Sequence, residues 1–422
     1  MTERAAGTTG LEAPPRLGVD RLLDDPGTRI IVCCGAGGVG KTTTAAALGV
    51  RAAERGRKAV VLTIDPARRL AQSMGIDSLD NTPRRVTGVG SDGELHAMML
   101  DMKRTFDEIV EAHADRERAE AILANPFYQS LSAGFAGTQE YMAMEKLGQL
   151  RARDDWDLII VDTPPSRSAL DFLDAPKRLG SFLDGKFIRV LMAPAKVGGR
   201  AGMKFLNVGM SMMTGTLSKL MGASLLKDVQ TFVAAMDTMF GGFRTRADAT
   251  FRLLQAPGTA FLVVAAPEPD ALREAAYFVE RLAAERMPLA GLVLNRVHGS
   301  GADQLSAERA LAAAENLEEG GIVDQESGKA GLRDRADDGS PTDEDASTKA
   351  EAEVDEITAG LLRLHAERMQ VIAREQRTRD RFTSLHPEVA VAEVAALPGD
   401  VHDLAGLRAI GERLAAGVPA GA

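Results

Sequence analysis

The sequence predicts an α/β protein whose core is a doubly wound, mostly parallel sheet. Short apolar runs rich in Val, Ile and Leu recur along the chain. Each is too short for a buried helix, which is typical of strands buried on both faces. Segments with helical periodicity separate these runs, and that alternation is typical of a parallel sheet covered by helices on both faces. The predicted strands are Ile30–Cys34, Ala59–Ile64, Leu158–Val161, Phe261–Ala266, Leu289–Leu294 and Val389–Ala395, and the predicted helices include Thr43–Arg55 and Pro269–Arg286.

The composition is that of an ordinary globular protein. Of the 422 residues, 45% are hydrophobic and 26% are charged, which excludes collagen-like, disulfide-scaffold and wholly disordered classes. The two cysteines, Cys33 and Cys34, are adjacent in an apolar run, so they point to opposite faces of a strand and do not bridge each other. No apolar run approaches the ~18 to 20 residues of a membrane-spanning helix, and residues 1–26 lack the apolar stretch of a secretory signal. We therefore expect a cytoplasmic protein with a flexible segment over 1–26 and one domain over 27–422.

A glycine-rich motif directly follows the first predicted strand. Residues 35–42 read GAGGVGKT, which matches G-x-x-x-x-G-K-[ST] in the required order of strand, loop and helix. The glycines let successive backbone N–H groups face phosphate oxygens at a helix N-terminus. In such loops the Lys, here Lys41, reaches the β- and γ-phosphates, and the hydroxyl of Thr42 ligates Mg²⁺. The motif predicts a P-loop NTPase that binds ATP and Mg²⁺ through Gly37, Gly38, Val39, Gly40, Lys41, Thr42 and Thr43.

Two aspartates follow predicted strands, at the edge of the sheet where such folds bind ligands. Asp65 follows the second strand, and Asp162 follows the strand Leu158–Val161. We assign Asp162 to Mg²⁺ binding. We assign Asp65 to Mg²⁺ binding and to orienting or deprotonating the attacking water. The alternative for either carboxylate is a cap on the following helix.

Two long stretches do not follow the alternation of strands and helices. Residues 103–150 and 168–256 have helical patterns with little strand character, so we expect a helical subdomain inserted in the sheet. Apolar residues over Leu225–Phe240 form one helical stripe, and eight of the seventeen methionines lie between Met192 and Met239. Core packing and an adaptable groove for an apolar client are both compatible with this pattern.

The negative charge of the chain is concentrated in one segment. Fifteen acidic and four basic residues lie between Glu315 and Glu356, so the segment carries −11 of a total formal charge of −10. Since it has few large apolar residues, burial cannot offset the entropy of ordering it. We expect a disordered loop over 318–350, with an acidic partner-binding segment as the alternative. The rest of the chain is nearly neutral, which does not indicate nucleic-acid binding.

The nucleotide motifs resemble those of the ArsA-type ATPases, a family that includes the arsenite-pump ATPase and the targeting factor for tail-anchored membrane proteins. The resemblance covers residues 28–300 and 387–416. Besides the P-loop, DPARRL at 65–70 resembles the family's first switch and DTPPS at 162–166 resembles its second. The resemblance implies an ATP-hydrolysing dimer that opens and closes with nucleotide state and thereby switches a helical subdomain.

The resemblance also implies nucleotide contacts late in the chain. Asn295 corresponds to the family residue that recognises adenine, and Arg296 follows it. Leu397 and Pro398 correspond to residues that flank the base, and Glu274 corresponds to a Glu that reaches the nucleotide across the dimer. These positions complete the predicted nucleotide site.

The chain departs from the family's pattern in four respects. The family has a signature Lys, which contacts nucleotide in the opposite subunit, where this chain has Ala36. Its second switch continues Gly-His where this chain has Arg167 and Ser168. The zinc-binding CxxC motif and the metalloid-binding cysteines are absent from the sequence. The motifs therefore support neither arsenite transport nor a zinc-clasped dimer.

Three functions are compatible with these motifs. The first is an ATP-hydrolysing dimeric switch for an apolar or anionic client, as a homodimer or as a heterodimer with a paralogous ATPase. The second is a regulatory subunit that pairs with a Lys-bearing paralogue and turns over little itself. The third is a membrane-cycling ATPase of the MinD type with peripheral lipid contact, for which packing against the sheet is the alternative. The apolar stripe that suggests it lies on a predicted C-terminal helix and consists of Leu404, Leu407, Ile410 and Leu414.

Overall fold

The computed structural model describes residues 14–417 except for 66–68, 91, 127, 130–131, 133–137, 165–244 and 327–342. Within this part of the chain the strands are β1 (Ile30–Cys34), β2 (Lys58–Thr63), β3 (Arg84–Arg85), β4 (Glu94–Met99), β5 (Leu158–Asp162), β6 (Thr259–Ala265), β7 (Leu289–Val297) and β8 (Val391–Ala395). They form one sheet in the order β3-β4-β2-β5-β1-β6-β7-β8. Only the β3–β4 pair is antiparallel among these strands. The predicted doubly wound α/β class is confirmed.

The chain winds outward from the central strand β1 in both directions. After β1 it crosses to β2 and β4 on one side and returns to β5, and the later strands β6, β7 and β8 extend the sheet on the other side. The reversal of winding beside β1 opens a crevice at the carboxyl ends of the strands, which is where open α/β sheets bind ligands. The glycine-rich loop that follows β1 lies at this crevice.

Helices cover both faces of the sheet. In the described residues they are α1 (Val19–Asp24), α2 (Lys41–Glu54), α3 (Arg69–Ser73), α4 (Met102–His113), α5 (Arg116–Leu123), α6 (Thr138–Arg153), α7 (245–255), α8 (Pro269–Ala284), α9 (Ala307–Glu326), α10 (Asp343–Leu385) and α11 (Leu404–Ala416). Both long helices predicted from periodicity are present, as α2 and α8.

The strands divide the apolar core into two layers. Side chains of β1 alternate between the layers: Cys33 packs with α2 and α11, whereas Cys34 packs with α4, α6 and α8. Both cysteines are buried and free, as their adjacency predicted. Burial accounts for the uniformly apolar runs, because a strand covered on both faces has no polar side to mark it.

The strand β4 was not predicted from the sequence. Its residues alternate between buried and half-buried, and Glu94 and His96 interrupt the apolar run. Among the described strands, the short strand β3 alone lies outside β4 at this edge of the sheet. A strand near the edge of the sheet keeps polar residues at its half-exposed positions, so a continuous apolar run does not mark it.

The first of the two helical stretches is helical where the structure describes it. Helices α4, α5 and α6 contribute Phe106, Ile122 and Leu147 to the same buried cluster as strand residues such as Val60 and Ile159. Most of the second stretch, including Leu225–Phe240 and the methionines between Met192 and Met239, lies outside the described residues. Its last part forms α7, over 245–255.

Two helices extend into the acidic segment that we expected to be a loop. Helix α9 continues to Glu326 and helix α10 begins at Asp343, so the expected boundaries of 318 and 350 are wrong on both sides. The low content of large apolar residues predicts a lack of burial, but it does not predict how far the two helices continue into the segment. Residues 327–342 lie outside the described part of the chain.

The apolar stripe of the C-terminal helix is buried. Leu407, Ile410 and Leu414 of α11 pack in the layer that includes α2, and Leu404 is partly buried against it. Packing in the core therefore accounts for the stripe that suggested lipid contact. In the part of the chain that the structure describes, no helix combines the length and the apolar character that crossing a membrane requires.

Candidate functional site

The glycine-rich loop is held close to two other parts of the fold. Gly35 has φ +146°, and a Cβ there would lie 2.0 Å from the carbonyl oxygen of Val264 in β6. Gly40 is the N-cap of α2 with φ +95°, and a Cβ there would lie 2.3 Å from Nδ2 of Asn295. Only glycine avoids both the left-handed strain and the contact at these positions. The loop is thus shaped by its neighbours as well as by its own sequence.

Lys41 begins α2 and is buried at the bottom of the loop. Its Nζ donates a hydrogen bond to the carbonyl oxygen of Ala36 at 2.7 Å. Burial lowers the pKa of Lys41, and the nearby carboxylate of Asp162 opposes that shift. Ala36 is itself buried. The ammonium group is therefore kept under the loop, at the helix N-terminus where phosphates bind in related folds.

Asp162, at the end of β5, is completely buried and faces the first turn of α2. Its Oδ2 accepts hydrogen bonds from Thr42 Oγ1 at 2.7 Å and from Thr63 Oγ1 at 2.9 Å. Its Oδ1 is buried and has no hydrogen-bond partner among the described residues. Burial raises the pKa of Asp162 to about 6, although both hydroxyls lower it. The carboxylate therefore has one buried oxygen atom, Oδ1, whose acceptor capacity the described residues leave unused.

We expect the raised pKa of Asp162 to appear in the stability of the nucleotide-free protein. Between about pH 4 and pH 6 the folded state binds this proton more tightly than the unfolded chain does. The protonated Asp162 side chain therefore stabilises the folded state below about pH 4, and this stabilisation is lost as the pH rises to about 6. Asp162→Asn does not titrate, so the free energy of unfolding of the variant minus that of the wild type should increase from pH 4 to 6. Urea unfolding at several pH values measures this difference.

The matched control for that experiment is Asp20→Asn. Hydrogen bonding to Arg51 lowers the pKa of Asp20, so the stability that Asp20 contributes is lost as the pH falls. The Asp20→Asn difference should therefore decrease as the pH rises toward about 4 and stay nearly constant from about pH 4 to 6. A flat or decreasing difference for Asp162→Asn would contradict the assignment of a raised pKa.

Asp65 lies half-buried just beyond the end of β2. Thr63 pairs in register with Asp162 across the β2–β5 ladder, so both carboxylates lie at the same end of neighbouring strands. The N–H of Asp65 donates to Thr63 Oγ1 at 3.2 Å. Thr63, which the sequence analysis missed, therefore contacts both positions. A polar residue at the end of an apolar strand was its only signal. Residues 66–68 of the first switch motif lie outside the described residues. So do residues 165–168, the end of the second switch motif with Arg167 and Ser168.

A cavity of about 590 Å³ lies beside the N-terminus of α2. Its wall includes residues from the loop, from the end of β7 and from the segment between β8 and α11, so it is suited in size and place to the base and sugar of a nucleotide. The predicted Pro398 lines it, and Glu274 on α8 is not among the described residues of its wall. The lining residues are Gly40, Thr43, Asn295, Arg296, His298, Ala395, Ala396, Leu397, Pro398, Gly399, Asp400, Val401 and Ile410.

Asn295 joins the cavity to the loop. Its Nδ2 donates to the carbonyl oxygen of Val39 at 2.8 Å, and the side chain is buried. The next residue, Arg296, has φ +63°, and the β7–β8 register shifts between Asn295 and Val297. Such a bulge redirects side chains at the end of a strand and is common beside functional sites. The bulge places Asn295 against the loop while Arg296 is exposed on the cavity wall.

Replacing Asn295 by alanine is expected to weaken ATP binding by roughly tenfold, the equivalent of one buried hydrogen bond. The variant loses the contact that holds the Val39 carbonyl, so the loop is less well positioned for phosphate. Calorimetric titration with ATP measures the change. The control is Gln376→Ala, an exposed amide on α10, which should not alter affinity. Wild-type affinity in Asn295→Ala would contradict the positioning role.

His298 is a further residue that the sequence analysis missed. It lines the cavity, and Glu375 of α10 accepts from its backbone N–H at 2.9 Å and contacts its ring Nδ1 at 2.6 Å. The two residues are 77 positions apart, and no local motif connects them. Only the packing of α10 against the end of β7 makes this contact.

The sequence is similar to those of known ATPases. The sequence profile of the anion-transporting ATPase family matches residues 28–319. The ATPase GET3 of Podospora anserina is 26% identical over 297 residues, which are 69% of this chain and 80% of that protein. The ATPase GET3 of Malassezia globosa is 30% identical over 166 residues, 39% of this chain and 47% of that protein. An arsenical pump-driving ATPase of Halobacterium salinarum is 31% identical over 191 residues, 42% of this chain and 28% of that protein.

The profile match includes the glycine-rich loop, both aspartates, Glu274 and Asn295, and it spans more than half of the chain. The mostly parallel sheet, with a P-loop after its central strand, is the fold expected for such a match. This chain therefore belongs to the anion-transporting ATPase family, the ArsA-type ATPases, and it is an ATPase.

Proposed function

We propose that this ATPase is a magnesium-dependent dimeric switch that couples nucleotide state to its helical region. The observation that carries the proposal is the buried Asp162 carboxylate, with one oxygen bonded to Thr42 and the other unsatisfied, next to Lys41 at the N-terminus of α2. In P-loop NTPases, a carboxylate, a hydroxyl and a lysine usually surround the phosphates of a nucleoside triphosphate.

The residues present are suited to Mg²⁺. A buried carboxylate, a threonine hydroxyl and a second nearby aspartate are hard oxygen donors, the type that Mg²⁺ prefers. Thr42 and Asp162 would hold the ion, with Asp65 beside them. When bound, the ion neutralises charge on the β- and γ-phosphates. The unsatisfied Oδ1 of Asp162 supports this assignment, because a buried acceptor without a partner costs about 1 to 3 kcal/mol unless a ligand supplies one.

We assign the other predicted residues to phosphate binding, adenosine binding and the reaction with water. The loop N–H groups from Gly37 to Thr43 bind phosphate, and Lys41 is close enough to turn from the Ala36 carbonyl toward it. The cavity beside Asn295, Arg296 and Pro398 receives the adenosine part. Asp65 orients the attacking water and accepts its proton.

A chain of contacts connects Asp65 to the helical region. The carbonyl of Ile64, next to Asp65, accepts a hydrogen bond from Gln139 Nε2 of α6 at 2.9 Å. Farther along α6, the buried Glu145 accepts from Arg246 of α7 at 2.8 Å and from the hydroxyl of Tyr141 at 2.6 Å. Movement at Asp65 would therefore displace α6, and through it α7, which directly follows residues 165–244. This path supports coupling between nucleotide state and the helices.

Because of Ala36, we expect this chain to hydrolyse ATP slowly when no other protein is present. Other members of the family have the signature Lys at this position. In this chain the buried Ala36 supplies no cation. In a homodimer neither subunit would stabilise the developing charge on the γ-phosphate in trans, so turnover should be slow. A Lys-bearing paralogue would supply that cation to this chain's site.

Phosphate release by the chain alone and in mixture with a Lys-bearing paralogue tests this proposal. The mixture should hydrolyse ATP at least ten times faster, a conservative fraction of the about 10³-fold seen for trans cations. A paralogue mutated at its signature Lys is the control, and it should remove the gain. Fast hydrolysis by this chain alone that is insensitive to Arg167→Ala would exclude both the mixed dimer and Arg167 as a substitute cation.

For the client, we propose an apolar or anionic ligand other than arsenite. Arsenite is held by thiolates, and the two cysteines of the chain, Cys33 and Cys34, are both buried in β1. Burial raises the pKa of both thiols. Both cysteine side chains pack in the core, where they are not available to bind arsenite. We therefore do not assign this chain the arsenical pump-driving activity named for the Halobacterium relative.

A further inference from the structure

The first half of α10 carries an exposed apolar stripe. Val354, Ile357, Leu361 and Leu364 are 60%, 64%, 62% and 63% exposed. Their spacings of three, four and three residues place them on one face of the helix, over a rise of about 15 Å. Large apolar side chains exposed singly are common, but a contiguous row of four is typical of an interaction surface. We call these four residues the α10 stripe.

The α10 stripe belongs to a helix that is held firmly in place. On another side of α10, Ala359 and Ala366 are buried in the packing against α9, and Arg363 pairs with Glu318 of α9 at 2.6 Å. Toward the C-terminal end, Arg368 donates to the carbonyl of Gly299 at 2.7 Å, where the helix meets the body of the protein. The stripe is therefore a preformed surface that ends where this contact begins.

Acidic residues border the α10 stripe. Glu351 lies three residues before Val354, Glu353 lies four residues before Ile357, and Glu367 lies three residues after Leu364, so each is a neighbour of the stripe on the helix surface. All three are exposed. No ion-pair partner for any of them occurs in the described part of the chain. The stripe also overlaps the segment from Glu315 to Glu356, which carries a net charge of −11.

The acidic residues at the borders of the α10 stripe favour a basic partner over a second copy of this chain. A second copy pairing antiparallel through the stripe would bring Glu353 of one chain next to Glu367 of the other. Parallel pairing would place Glu353 opposite Thr358 of the other chain, so the acidic borders would have no basic partner there. Like charges at the borders of a helix pair oppose association. A partner helix with an apolar seam and Lys or Arg at its borders would instead match both features of the surface.

We propose that the α10 stripe is the docking surface for a basic amphipathic helix of a partner protein. The apolar seam of the partner covers Val354, Ile357, Leu361 and Leu364, and its basic borders pair with Glu351, Glu353 and Glu367. The surface uses none of the residues that we assign to nucleotide, so the inference goes beyond the proposed ATPase switch. It stands or fails independently of ATP hydrolysis.

A designed peptide tests the proposal on the full chain. The probe is a peptide of about three heptads with Leu at the seam and Lys at the borders, and its counterpart carries Glu at the borders. Fluorescence anisotropy should show binding of the basic peptide and much weaker binding of the acidic one. Leu361→Lys should weaken binding of the basic peptide by roughly ten- to a hundredfold, since one buried Leu is lost. The matched control is Tyr277→Lys on α8, a change at a side chain that is 54% exposed, and it should have no effect.

Charge reversal separates specific docking from attraction to an acidic protein. Glu353→Lys combined with Glu367→Lys should weaken binding of the basic peptide and strengthen binding of the acidic peptide. Equal binding of the basic peptide to the wild type and to Leu361→Lys would overturn the proposal, because general charge attraction would then explain it.

Two measurements without peptide test whether a second copy of the chain, or another part of the same chain, covers the α10 stripe. If native mass measurement shows a wild-type dimer that Leu361→Lys converts to monomers, the stripe is an interface between copies of this chain. If Leu361→Lys lowers the melting temperature by several degrees, another part of the same chain covers the stripe. Either result overturns the proposal. Unchanged mass and melting temperature, together with weakened peptide binding, are the expected results.

Discussion

Replacing Lys41 by alanine is expected to abolish tight ATP binding, with a loss of affinity of roughly 10²- to 10³-fold. Lys41 is the buried cation under the glycine-rich loop, and its Nζ already lies 2.7 Å from a loop carbonyl. Removal of the ammonium group leaves the phosphates without this partner in a site shielded from water, where charge interactions are strong. Calorimetric titration with ATP and Mg²⁺ measures the loss.

The control for Lys41→Ala is Lys103→Ala, which removes an exposed lysine of α4 that pairs with Asp107. Surface pairs of this kind contribute little, so ATP affinity should remain that of the wild type. Circular dichroism should show that both variants are folded. If Lys41→Ala bound ATP as tightly as the wild type, the loop would not be the phosphate site.

Asp65→Asn is expected to retain ATP binding and to lower the rate of hydrolysis by roughly 10²- to 10⁴-fold, the usual contribution of a general base. The loss concerns the attacking water, and the amide oxygen of the variant side chain remains an oxygen donor for Mg²⁺, so we expect ATP affinity to change little. The neutral amide keeps the size of the side chain but does not accept a proton. Affinity from titration and phosphate release from the same preparation measure the two effects separately.

The matched control for this variant is Asp77→Asn, an exposed aspartate between β2 and β4. It should leave both affinity and turnover unchanged. Wild-type turnover in Asp65→Asn would remove Asp65 from the catalytic role. A parallel loss of binding would instead assign Asp65 to ground-state contacts with Mg²⁺ or phosphate.

Local sequence patterns were sufficient for the centre of the sheet. Strands such as β1 and β5 are buried on both faces, and a continuous apolar run is the direct consequence of that burial. The same criterion failed for β4 near the edge of the sheet, because Glu94 and His96 occupy its half-exposed positions. A low content of apolar residues likewise did not predict that α9 continues to Glu326 or that α10 begins at Asp343.

The sequence by itself determined the loop, its lysine and threonine, and the two aspartates after buried strands, because each is encoded within a few residues of a strand end. Only the tertiary structure decided how they meet. The β2–β5 register places Thr63 beside Asp162, and a bulge at Arg296 aims Asn295 at a loop carbonyl 256 residues away. The packing of α10 brings Glu375 to His298. Contacts between distant residues depend on strand register and helix packing, which are set by the whole core, and no local pattern of residues records them.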